Sequence, residues 1–313
     1  MSLHILAPGV QTTIQAAPRI GLRHIGIPAS GPMDRLSHAL ANRLVGNELH
    51  APALEITLGG LEARVEADCR IARTGADGPH TIDGDPLPSH RAIELSEGQM
   101  VSVGYPEKGC RSYLAIGGGF KAEEWLGSMS TYLPAETGGY NGRAIKAGDH
   151  LEGRGMNTDG SIQLQTPLVC RPPISTSWAL RAVPGPDATD EVLAALFNSK
   201  FFLSNRTSRM GGALEGVVMG SVSKPTLPSA AVFPGTVQCP EDGQPFMLMA
   251  DAQTTGGYPI IAQVVRADRH LMGQIRPGDS VRLLPTDPAA AADVLKQKSA
   301  IFSEWLGCAF QLG

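Results

Sequence analysis

Phe246-Met247-Leu248-Met249-Ala250 is an apolar run, and Asp251-Ala252-Gln253-Thr254-Thr255-Gly256-Gly257-Tyr258-Pro259 follows it directly. The run reads as a buried strand and the polar cluster as the loop at its end. Within nine positions the loop offers a carboxylate, an amide, two hydroxyls, a phenol and a glycine pair at which backbone can approach a ligand closely. Two readings fit that density: a binding site, or a hairpin corner in which Gln253 and the threonines satisfy backbone groups. Either way, this part of the chain is β-structure.

The same grammar extends outward. Leu3 to Val10 and Thr12 to Gln15 read as strand until Pro18 ends regular pairing. Between Ala53 and Val103, short segments such as Leu54–Leu58, Ala63–Ala67, Ala92–Leu95 and Met100–Val103 alternate with turn signals, a run of hairpins. Arg111–Ile116 adds a strand halted by Gly117-Gly118-Gly119, a turn rather than a phosphate loop because no Gly-Lys-Ser/Thr follows. Helices are few. Ser30 offers a hydroxyl cap, Pro32 suits a first turn, and Met33, Leu36, Leu40 and Leu44 recur at helical spacing before Gly46-Asn47. Asp34 either caps that helix or faces a site. Asp187 or Thr189 starts a second helix, and Asp287-Pro288 starts a terminal one reaching Leu306. The expected class is therefore mainly β with a few helices, a β-rich α+β chain.

Composition agrees. The 37 glycines and 24 prolines make up roughly a fifth of 313 residues, against a usual share of about an eighth. A polar stretch at 153–161 leading to Pro172-Pro173 marks the division expected between domains 1–165 and 166–313. A net charge of −4 without any basic run argues against nucleic acid or an anionic membrane as partner. No apolar run approaches the ~18 residues of a membrane span, and Met1-Ser2-Leu3-His4 has no basic region ahead of a hydrophobic segment. The five scattered cysteines lack a Cys-x-x-Cys pair, and the eight histidines include no pair at metal-ligand spacing. A cytoplasmic protein without a metal signature is the expectation.

Several blocks closely resemble the family called allophanate hydrolase subunit 2, or biotin-dependent carboxyltransferase-like. They are Gly26–Asp34 with Ala41–Asn47, Gly127-Ser128-Met129-Ser130-Thr131 with Gly138-Gly139-Tyr140-Asn141-Gly142-Arg143, Ser204–Gly211, and Pro234–Pro259 continuing to Gln274–Asp279. The family includes the C component of bacterial 5-oxoprolinase and part of the carboxyltransferase region of urea carboxylase. Two departures stand out. Where relatives usually read Gln-Asp-Leu-Gly-Arg, this chain has Gln15-Ala16-Ala17-Pro18-Arg19, and where they often read Ser, an acid and Gly, it has Ser229-Ala230-Ala231.

The resemblance implies two cyclophilin-like β-barrel units and a composite site shared with a subunit 1-like protein, the B component of 5-oxoprolinase, together with an A component. It implies a small amide or lactam substrate, with ATP used in the assembled complex to activate the amide oxygen. Biotin, if used, must arrive on a separate carrier, because no lysine here sits between methionines. Neither a Walker P-loop, His-Glu-x-x-His nor a Gly-x-Ser-x-Gly elbow is present, so the chain is not expected to act alone. Instead it offers preorganised donors for negative charge developing on an amide oxygen. Gln253, Thr254, Thr255, the N–H groups of Gly256 and Gly257, and Arg209 suit that role, while Asp251 or Tyr258 can orient or move a proton. Asn205 beside Arg209 suits a carboxylate. Gln238, Ser30, Asp34, His24 and Arg143 complete the candidate substrate-binding set. Besides a 5-oxoprolinase component, the resemblance admits a carboxyltransferase half acting on urea with carboxybiotin, and a non-catalytic regulator that binds the subunit 1-like partner.

Overall fold

The structure is a computed structural model describing residues 1–155, 165–219, 227–310 and 312. Two compact units are present. The first comprises residues 1–19, 30–174 and 301–308, and the second residues 20–29, 175–300 and 309–313. The polar stretch at 153–161 falls largely on residues 156–164, outside the described residues.

In the first unit the strands are β1 (Ser2–Pro8), β2 (Gln11–Gln15), β3 (Ala53–Thr57), β4 (Leu61–Val65), β5 (Cys69–Asp77), β6 (His80–Ile82), β7 (Asp85–Pro86), β8 (Ala92–Leu95), β9 (Met100–Val103), β10 (Lys108–Ile116) and β11 (His150–Glu152). They make a six-stranded sheet ordered β11-β1-β4-β9-β6-β7 and a five-stranded sheet ordered β2-β3-β10-β5-β8. Strand β4 alternates buried Leu61, Ala63 and Val65 with exposed Glu62 and Arg64, the period-2 pattern of a half-buried strand. Leu3, Ile5, Leu61 and Val65 from one sheet share a core with Ile14, Leu54, Ile56, Ile71 and Leu114 from the other.

Helix α1 (Arg35–Leu44) packs on β5 and β10. Its cap is Asp34, whose carboxylate accepts from the Ser37 N–H at 2.9 Å and the Ser37 hydroxyl at 2.6 Å. Ser30, offered by sequence as a hydroxyl cap, instead lies four residues upstream in the left-handed region at φ 54°. Glu55 and Tyr113 hold the approach to the helix, accepting from the Met33 and Asp34 N–H groups at 2.8 and 2.7 Å, while the Tyr113 hydroxyl donates to Glu55. Asp34 is thus consumed by helix capping.

In the second unit, β12 (Ser177–Pro184), β13 (Phe201–Thr207), β14 (Gly211–Glu215), β16 (Thr236–Gln238), β17 (Phe246–Leu248), β19 (Ile260–Val264) and β20 (Ser280–Pro285) close into a barrel ordered β12-β19-β16-β17-β14-β13-β20. A separate two-stranded ladder joins β15 (Ala230–Ala231) to β18 (Thr255–Gly256). Trp178, Leu180, Phe201, Val237, Met247 and Leu283 are buried barrel residues. Helix α2 (Asp190–Asn198) is capped by Thr189. A short α3 (Arg269–Met272) precedes β20, and α4 (Pro288–Leu306) starts where Asp287 accepts from the Ala289 and Ala290 N–H groups. No helix among the described residues is long and apolar enough to cross a membrane.

Candidate functional site

In the second unit, β17 delivers the chain into the 251–259 corner, and backbone bonds fix it there. The Met249 N–H donates to the Met210 carbonyl, Asp251 N–H to Arg209, and Val232 N–H to Thr254. Beneath the corner Arg209 grips Asp251 with two bonds, Nε to Oδ2 at 2.7 Å and Nη2 to Oδ1 at 3.0 Å. Both side chains are buried, so this pair supports the corner from below and is closed to solvent. Thr254 is also buried, and the Thr255 and Gly256 backbones pair with Ala231 and Ala230.

The outer side of the corner remains open. Gln253, Thr255, Gly257 and Tyr258 are exposed. Gln253 Nε2 donates weakly to Gln238 Oε1 at 3.4 Å, and Gln238 Nε2 donates to the Tyr258 carbonyl at 3.3 Å. Gly256 admits this amide pair closely, since a Cβ there would lie 2.8 Å from Gln238 Nε2. Arg23 completes the group: it stands 5.1 Å over the Phe233 ring, and its Nη2 donates to the Val232 and Gln253 carbonyls. Its Nη1 is buried without a hydrogen-bond partner, and burial lowers its pKa. Arg23 thus braces the corner's backbone and keeps one guanidinium N–H without an acceptor beneath it.

A cavity of about 490 Å³ opens in the first unit. Ala16 and Ala17, Gly46, Asn47, Gly118, Ser128 and Arg154 are among its lining residues, so two of the motif blocks converge on it. Asn47 builds one wall, with Oδ1 accepting from the Gly118 N–H at 2.6 Å and Nδ2 donating to the Ile116 carbonyl at 2.8 Å. Ser128 and Ser130 hold the Ala16-Ala17 segment of the lining: Ser128 Oγ donates to the Ala17 carbonyl, and Ser130 Oγ accepts from the Ala16 N–H. Gly118 has φ 81°, and a Cβ there would meet the Gly155 carbonyl oxygen at 1.8 Å, so only glycine fits. Glu48, Glu124 and Arg154 supply charge around this space, and His50 lines it as well. Burial, then the nearby Arg35 charge, lowers the His50 pKa, keeping the imidazole neutral.

The remaining predicted residues scatter. Arg143 holds Asp149 with two bonds at 2.7 and 2.8 Å and lies over Tyr140, an ion-paired turn. His24 is exposed in a short 3₁₀ turn, Ser30 is buried, and Asn205 is exposed on β13. Sequence reasoning missed Arg23 and the first-unit cavity, both assembled from distant segments. It did single out the two departures from the family pattern, and these fall beside the two sites. Ala16 lines the cavity, and Ala230 pairs with Gly256 at the corner.

Comparison with known proteins gives a consistent picture. A family model described as carboxyltransferase domain, subdomain A and B, matches residues 25–285. The C component of 5-oxoprolinase from Escherichia coli strain K12 is 35% identical over 308 residues, covering 96% of this chain and 97% of that protein. Urea amidolyase of Saccharomyces cerevisiae is 33% identical across 91% of this chain, which spans only 16% of that protein. The crystal structure of Kluyveromyces lactis urea carboxylase superposes with a TM-score of 0.89 at 30% identity, covering all of this chain and 30% of that one.

Proposed function

The chain belongs to the carboxyltransferase domain family of subdomains A and B, and from that premise we propose that it serves as the C component of an ATP-dependent 5-oxoprolinase. The observation that carries this reading is the end-to-end correspondence with a protein that bears that name. It would act with the B and A components in opening a small lactam.

Two groups of residues would serve that chemistry. At the second-unit corner, Gln253, with Gln238 and Arg23 behind it, would donate to the oxygen of an amide or carboxylate, which would withhold that oxygen from water and stabilise charge developing on it. In the first unit the cavity has the size of a small-molecule site, and Arg154 and neutral His50 would hold a carboxylate and relay a proton there. Arg209 and Asp251 act as positioning residues, because their buried pair fixes the corner on which Gln253 sits.

ATP does not fit the glycine turn of this chain. The Gly118 N–H is taken by Asn47 and the Gly119 N–H by the Ile116 carbonyl, leaving no cradle of free amides. We assign the nucleotide to a partner protein. The carboxyltransferase reading draws support from the urea carboxylase superposition, and carboxybiotin would then come on a separate carrier. Coexpression with the B and A components, followed by assay for ATP-dependent glutamate formation from 5-oxoproline, tests the leading reading. Turnover with urea and a biotin carrier instead would support the second, and stable partner binding without any turnover would leave the regulator.

A further inference from the structure

His4 and His150 lie 146 positions apart in sequence, too far for motif spacing to relate them, yet they are direct cross-strand partners of β1 and β11. Their rings stack with centroids 4.4 Å apart and planes inclined by 2°. Glu66, the residue after β4 on the other side of β1, reaches the same place, with Oε1 2.7 Å from His150 Nδ1. Among the described residues these are the only three metal-type donors whose ligand atoms lie within 4.8 Å of one another. We propose that His4, Glu66 and His150 form a binding site for a divalent transition cation, with Zn²⁺ as its simplest occupant.

Three features of the geometry support this. The donors come from β11, from β1 and from the residue that follows β4, whose N–H donates to the Ser2 carbonyl of β1, so hydrogen-bonded backbone sets their spacing before any ion arrives. On β1, Leu3 and Ile5 point into the core, which turns His4 outward to a face where the rings can rotate. The donor set is two imidazoles and one carboxylate, a combination that takes Zn²⁺ with bonds of about 2.0–2.2 Å and leaves a fourth position open. Donors within 4.8 Å need only converge by modest side-chain rotation to reach those lengths. Imidazole favours Zn²⁺, Ni²⁺ or Cu²⁺ over Mg²⁺ and Ca²⁺, which seek oxygen. Arg64, opposite His4 on β4, is solvent-exposed and adds a screened positive charge nearby. An ion here would tie edge strand β11 to β1 and β4.

The test is calorimetric titration of the tag-free, chelator-treated chain with ZnCl₂, with Co²⁺ absorption as a coordination signature. The expected result is one saturable site per chain, tighter than about 0.1 mM and untouched by excess Mg²⁺. His4→Ala, His150→Ala and Glu66→Gln should each weaken it by about tenfold or more, with unchanged circular dichroism. His150→Gln serves where the alanine variant misfolds. Absence of saturable binding, or Zn²⁺ binding of equal strength in the His4→Ala/His150→Ala double variant, would overturn the site. Neither outcome bears on the enzymatic reading.

Discussion

Arg209 and Asp251 meet in a doubly bonded ion pair with side chains only 4% and 1% exposed, directly below the corner that presents Gln253. Removing one partner strands the other charge in the interior. Arg209→Ala or Asp251→Ala should therefore destabilise the protein by roughly 3–5 kcal/mol. Urea unfolding checks this, and the double variant should lose less than the sum of the two single losses.

Gln253 occupies the open side of the same corner, where substitution leaves the core alone. Gln253→Ala should leave the unfolding midpoint nearly unchanged while reducing kcat/KM of the assembled enzyme by about 10²-fold. Steady-state kinetics alongside thermal unfolding separate this from the Arg209 effect.

Gly118→Ala should be among the most damaging small substitutions in the first unit. The added methyl meets the Gly155 carbonyl oxygen at 1.8 Å on a backbone with φ 81°. We expect a loss above about 2 kcal/mol and weakened ligand binding in the adjoining cavity, read by urea unfolding and by calorimetry with 5-oxoproline.

Acid should unfold the chain through its buried histidines. Burial lowers His38 and His80 to about 4, and His90 and His270 to about 3. Between those values and the unfolded value near 6.5, the unfolded chain binds more protons than the native one. Stability is then full above pH 6.5 and falls as pH drops, by up to about 1.4 kcal/mol per pH unit for each histidine. Urea midpoints measured from pH 7 to 4 test the slope, and His80→Leu should flatten it by about one proton's worth.

The strands were legible because alternation and glycine-rich turns state them locally, as in Leu61–Val65 and in the run Phe246–Leu248 ending at its polar loop. Helix caps at Thr189 and Asp287 were legible for the same reason. The start of α1 shifted from Ser30 to Asp34 because a buried glutamate and tyrosine hold the intervening backbone, and no local rule sees them. Residue type and family position made Arg209 and Asp251 candidates for catalysis and Arg143 a candidate for substrate binding; the structure pairs Arg209 with Asp251, 42 positions away, and Arg143 with Asp149, 6 positions away. Arg23 and the His4–His150 pair lay beyond sequence reasoning, because their neighbours are set by chain segments more than a hundred residues apart.

The two alanines at family-acid positions offer a separate handle. Ala230 is exposed on the short β15 ladder, so Ala230→Asp should cost less than about 0.5 kcal/mol. A changed substrate preference in this variant, compared across 5-oxoproline and urea, would locate specificity at the corner.

The decisive assay is glutamate formation from 5-oxoproline and ATP by this chain combined with the B and A components of the enzyme. Turnover is expected with all three proteins present and none when this chain is left out. Equal turnover without it, or no turnover from the complete, folded assembly, would refute the assignment.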